Sequence, residues 1–194
     1  MAKAQFRRGF KADASWYSKS VRAELGLKSY EPICPWTLAE HLELPVLRVS
    51  EYVKAQPAAV AYLQSTAGQD EFSAITANLG GIRVIIHNDA HDRKRQAADI
   101  AHEIAHGLLM HVLAPLTGAE GKRNYHRDIE AEANWLGPTL LVPDEAAVLI
   151  ARRLVDGRVT IQQATDEYGV SESLLRMRLN VSGAYIRVAR RRAA

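Results

Sequence analysis

The stretch DIAHEIAHGLLMH, residues 99–111, sets three histidines and a glutamate into an otherwise apolar run. His102 and His106 are four positions apart. On an α-helix that is about 400° of rotation, so the two imidazoles lie about 40° apart on one face and one turn apart along the axis. Side chains so placed can grip one metal ion. Glu103 follows His102 directly and stands beside such a site rather than within it. The pattern is HExxH, in which two histidines bind zinc and the glutamate acts as general base toward a water. The competing reading makes these ordinary core histidines. Burying two imidazoles and a carboxylate without partners is costly, and a metal ion removes that objection by supplying the partner.

Two imidazoles leave zinc short of ligands, because a catalytic site takes three protein ligands and keeps one position open. His111 does not complete the longer pattern HExxHxxGxxH, since Leu109 and Val112 stand where that pattern has glycine and histidine. It reads as a helix-end or cleft-lining residue. The next candidates lie in YHRDIEAEANWLGPTLLVP, residues 125–143. Glu130 and Glu132 sit on one expected helix, roughly 200° apart, so both cannot face the metal. Glu132 shares a face with Ile129, Trp135 and Leu136, the bulky apolar side expected to pack on the histidine helix. Glu130 shares its face with Arg127 and Asn134 and reads as a surface charge. Glu132 is therefore the expected third ligand. Asp99, on the same face as His102, can orient an imidazole or can be a plain helix charge. Arg123, Tyr125 and His126 precede the second helix and are candidate oxyanion donors, or simply part of a solvated loop.

The elements that must hold these residues follow from periodicity and breakers. Residues 14–25 have helical spacing, and Gly26 stops them; residues 34–44 form a short helix with Pro35 in its first turn and Pro45 beyond its end. Between residues 46 and 87, PVLRVS, AAVAYLQ, FSAITAN and GGIRVIIHN read as three or four short strands, a small and mostly antiparallel sheet. Helices are expected at 92–112, 126–136, 144–155, 160–168 and 171–179, with a loop at 114–125. Strands followed by helices make an α+β fold. Residues 160–180 have the look of a helix-turn-helix, with Gly169 at the turn and Ser171 as a cap.

The chain has 194 residues, of which 47% are hydrophobic and 24% charged, with a net charge of +3 and a single cysteine, Cys34. That composition suits one globular domain. It holds no apolar run of membrane-spanning length and no secretory leader, and one cysteine permits no internal disulfide, so the expected location is the cytoplasm. The arginines of YIRVARRRAA read as a solvated, frayed basic tail, and direct binding of nucleic acid is not expected.

AHEIAHGLLMH followed by IEAEANWLGPTLLVP resembles the ImmA/IrrE family of zinc-dependent peptidases, which pairs HExxH with a later E-A-N segment running into L-L-x-P. Glu132-Ala133-Asn134 and Leu140-Leu141-Val142-Pro143 match in order and spacing, and the resemblance extends over roughly residues 14–183. It implies Zn²⁺ held by His102, His106 and Glu132, with Glu103 as catalytic base, on a zincin-like helical core. It further implies a protein substrate, a lambda-repressor-like helix-turn-helix regulator, cut to switch on stress-response or mobile-element genes. The departure lies at Leu136-Gly137-Pro138, where a proline inside a helix predicts a kink. The expected organisation is an N-terminal tail (1–13), the peptidase domain (14–157), helix-turn-helix-like helices packed on it (158–183) and the basic tail (184–194). The alternative is a non-catalytic regulator with a structural metal, binding DNA or a repressor through the 160–180 face with Arg176 and Arg178.

Overall fold

The computed structural model describes residues 6–112 and 127–193. In chain order its elements are α1 (Phe10–Glu24), α2 (Pro35–His41), β1 (Val46–Arg48), a 3-10 turn (Val49–Tyr52), α3 (Pro57–Gln64), α4 (Thr66–Glu71), β2 (Ala74–Leu79), β3 (Ile82–His87), α5 (Arg93–Leu108), α6 (Arg127–Leu141), α7 (Asp144–Val155), α8 (Ile161–Tyr168), α9 (Glu172–Val181) and α10 (Ala184–Ala193). This is the expected α+β arrangement. The sheet has three strands in the order β1-β3-β2, with β1 parallel and β2 antiparallel to the central β3. Gly80 and Gly81, at φ 62° and 90°, make the tight β2–β3 turn that a side chain would strain.

One expected strand is a helix. Residues 58–64 lie in α3, with Pro57 at its first turn. Alanine, leucine and glutamine favour a helix there, and Pro57 presets its opening φ. The basic tail also folds: α10 buries Ala184 and Val188 and turns its arginines outward, packing against α7 and α9.

The core joins sheet and helices into one cluster, with Ile85 of β3, Ile100 and Ile104 of α5, Leu136 and Leu140 of α6 and Leu175 of α9 all fully enclosed. The β3–α5 connection is pinned by side chains. Asn88 donates to the Leu63 and Phe72 carbonyls, Gln96 donates to those of Asp89 and His91, and Asp92 caps α5 by accepting from the Lys94 and Arg95 amides. These bonds set the angle at which the histidine helix leaves the sheet.

Helix α6 runs unbroken through Pro138 to Leu141. The proline forfeits the bond to the Asn134 carbonyl, at a residue that is exposed to solvent. The last turn of α6 is held by two buried arginines. Arg22 donates to the Leu140 carbonyl at 2.7 Å and to Ser18 Oγ at 2.8 Å; Arg178 donates to the Val142 carbonyl at 2.8 Å and to Asp144 at 2.7 Å. Both place positive charge where a helix end carries unsatisfied carbonyls. Burial draws the Arg22 guanidinium down to about 10, opposed by the electrostatic influence of Tyr168 and the Glu145 carboxylate. The α8–Gly169–α9 unit is built as expected, with Gly169 at φ 62°. Its two arginines are not a free basic face, because Arg178 is only 1% exposed and Arg176 pairs with Glu172 at 2.6 Å. Among the described residues no helix is long and apolar enough to cross a membrane.

Gly137 sets how closely α6 approaches α5. A Cβ built on it would sit 3.1 Å from both Cα and N of His102. Gly137→Ala gains roughly 1 kcal/mol in helix propensity and needs a shift of only a few tenths of an ångström, so its net effect is small. Gly137→Val adds methyl groups against backbone and is expected to destabilise by about 1–3 kcal/mol in chemical denaturation. Wild-type stability for the valine variant would show that the helices part freely at this contact.

Candidate metal centre

His102 and His106 project from one face of α5, as their spacing requires, with Nε2 atoms 3.1 Å apart. The carboxylate facing them comes from α6, and it is that of Glu130. Its oxygens lie 3.4 Å from His102 Nε2 and 3.7 Å from His106 Nε2. One donor atom from each of these three residues falls within 4.8 Å of the others. The neighbouring imidazoles, His102 first and then His106, hold the Glu130 carboxyl well below the usual carboxylate range, against the opposing effect of burial.

Glu132 is placed elsewhere. Its oxygens lie 3.5 Å from His111 Nε2 and 3.6 Å from Arg7 Nε. The assignment of Glu132 to the imidazole pair is thus corrected to Glu130, and the reason is the face of α6 that meets α5. Bulky Trp135 faces away from it, stacking edge-on against Phe6 with Lys11 Nζ 4.2 Å above its ring. The close approach to α5 is made through small residues, Gly137 and buried Ala133. Glu130 is three and seven positions before them, on the same stripe. The signal was therefore in the sequence, as a small-residue face rather than an apolar one.

Glu103 is buried, and its Oε2 accepts a 2.6 Å hydrogen bond from Thr76 Oγ1 of β2. The sheet thereby fixes a carboxylate that the helix alone would leave free to rotate. Sequence reasoning missed Thr76, because only tertiary folding brings β2 to α5. Asp99 lines the same cavity as His102, and its Oδ2 lies 3.4 Å from His91 Nδ1, too far off line for a hydrogen bond. Burial raises its carboxyl, while His91, Arg95 and His102 pull the other way. Arg123, Tyr125 and His126 lie outside the described residues.

His102, Glu103 and Glu130 line a cleft of about 430 Å³, together with Ser73 and Ala74 at the start of β2 and Asn134 and Pro138 of α6. The donor set fits zinc. Metal–ligand bonds of about 2.0–2.1 Å in a tetrahedron put neighbouring ligand atoms about 3.3 Å apart, close to the separations here. Two imidazoles and one carboxylate are also a recurring ligand set for catalytic zinc.

No curated protein matches the chain. The family Peptidase_M78, described as the IrrE N-terminal-like domain, matches residues 54–180. That span takes in α3, both strands of the hairpin, the HExxH helix, α6 and nearly all of α9. The histidine helix and its carboxylate-bearing neighbour thus both fall within the matched region, and the chain belongs to this peptidase family.

Proposed function

We propose that the protein is a cytoplasmic zinc-dependent endopeptidase whose substrate is a helix-turn-helix transcriptional repressor of the lambda-repressor type, cut to release stress-response or mobile-element genes. The observation that carries the catalytic part is the convergence of His102, His106 and Glu130 beside a cleft that His102 and Glu130 line, with the Glu103 carboxylate fixed alongside. The choice of repressor rests on the resemblance of the two-part motif.

His102, His106 and Glu130 would hold the ion. When bound, zinc acidifies water and polarises a carbonyl, which supplies the nucleophile and the electrophile of peptide hydrolysis. Glu103 takes the proton from the attacking water and delivers it to the leaving amine. Thr76 keeps one oxygen of Glu103 occupied and so aims the other. The sheet order leaves β2 an edge strand among the described residues, with its first residue, Ala74, on the cleft, which suits an extended polypeptide lying alongside.

The test is zinc content at equilibrium, followed by incubation of the zinc-loaded protein with a purified lambda-type repressor. One zinc per chain and a discrete pair of repressor fragments are expected. A chain that takes up no zinc ends the metallopeptidase reading; zinc uptake with cleavage of unfolded casein but not of the repressor ends the choice of substrate.

A further inference from the structure

We infer that His111, hydrogen-bonded to His106 and backed by the Glu132 carboxylate, supports His106 and fixes the orientation and tautomer of that ligand; the inference rests on the metal centre proposed above. His106 directs Nε2 toward His102 and Glu130, so its other nitrogen points away from the cluster. There Nδ1 meets His111 Nδ1 at 2.9 Å. On its far side His111 presents Nε2 to Glu132 at 3.5 Å, and the second oxygen of Glu132 faces Arg7 at 3.6 Å. The side chains of His111 and Glu132 are 10% and 13% exposed. Groups this enclosed need partners, and each is the other's.

One arrangement of protons satisfies both contacts of His111. Of two Nδ1 atoms 2.9 Å apart, only one can carry the shared hydrogen. Suppose His111 carried it. His111 Nε2 would then present a lone pair to the Glu132 carboxylate, and the two would repel. With the hydrogen on His106 Nδ1, His111 accepts it, and His111 Nε2–H donates toward Glu132. His106 Nε2 is then left with a free lone pair aimed at His102 and Glu130, which is what a metal ligand requires. Glu132 therefore selects, through His111, the tautomer of His106 that can bind.

The backbone is shaped to bring this about. Helix α5 ends at Leu108, and Met110 adopts φ 55°, a left-handed conformation uncommon outside glycine. The Met110 amide donates to the Gly107 carbonyl and the His111 amide to the His106 carbonyl, each at 3.0 Å. This paired closure reverses the chain and sets residue 111 back over residue 106. The Met110 side chain is 82% exposed, so its own packing does not account for the strained turn. His111 and Glu132 act as positioning residues, one shell out from the donors.

The experiment measures zinc affinity by competition with a chromophoric chelator, together with the imidazole ¹⁵N shifts of His106 in the metal-free full chain. His111→Ala is expected to weaken zinc binding 10–100-fold, the range for a lost outer-shell partner. Glu132→Ala is expected to weaken it less. The double variant should be no weaker than His111→Ala, because Glu132 has nothing left to orient. His111→Asn, whose Oδ1 can stand where Nδ1 stood, should recover most of the affinity, a rescue that a purely structural role would not give. In wild type His106 should be in its Nδ1–H form. Wild-type zinc binding with His111→Ala within twofold, or single effects that multiply in the double variant, overturns this inference and leaves the proposed metal centre standing. A wild type without zinc removes the metal centre instead, and the His106 tautomer then decides: the Nδ1–H form supports the support chain, and the Nε2–H form overturns it.

Discussion

The Glu103→Gln protein is expected to keep the zinc content of the wild type and to hydrolyse its substrate about 10²–10⁴-fold more slowly, the range for loss of a positioned general base. Two observations separate these effects. The Glu103 carboxylate is not among the three donors that converge, so its loss leaves the ligand set intact. Its partner, Thr76 Oγ1, donates a hydrogen bond at 2.6 Å, and an amide oxygen accepts that bond as a carboxylate does. The amide therefore fits the same buried place without an orphaned polar atom. It cannot take a proton from water, and the barrier rises by about 3–5 kcal/mol. The check is turnover of a fluorogenic peptide set beside zinc content. Wild-type turnover by Glu103→Gln would remove Glu103 from the chemistry. Loss of zinc would instead make it a ligand or a structural prop.

Glu130→Gln is expected to lose zinc affinity by at least about 100-fold, beyond the range for an outer-shell partner, and Glu132→Gln by less. Among the described residues Glu130 is the acid whose carboxylate comes within 4 Å of both imidazoles, and both hold it in the ionised form. An amide in its place offers a neutral oxygen and is a poor zinc ligand. Glu132 faces His111 and Arg7, so its effect on the ion passes through His106. Equilibrium dialysis of the two variants orders them directly. The reverse order, with Glu132→Gln devoid of zinc and Glu130→Gln nearly unaffected, would return the third ligand to Glu132.

Much of the site is visible in residue spacing because a helix is a local object. Four residues make one turn, so His102 and His106 had to share a face wherever the helix lay. The caps and stops read from sequence also hold: Gly26 beyond α1, Gly169 between α8 and α9, Ser171 before α9. These depend on one residue's backbone preference or one short hydrogen bond. The misread segment at 58–64 failed for a local reason as well. Its apolar run suits strand or helix, and Pro57 with its alanines decided for the helix.

Sequence alone determined that a histidine pair with an adjacent carboxylate sits on one helix, that a second helix carries acidic residues suited to join it, and that the fold is α+β. Which acid joins was decided by packing. The contact between α5 and α6 runs through Ala133 and Gly137, and small residues let two helices approach where large ones hold them apart. The large side chains of α6 went to α1 and the core instead, taking Glu132 out of reach of the imidazole pair and leaving Glu130 in it. The same holds for Thr76 against Glu103, 27 residues apart, and for Arg22 against Leu140, 118 apart. No periodicity spans such separations. They exist because the core closes with the sheet beneath α5 and α1 against α6, and the hydrogen bonds form between whatever groups that closure brings together.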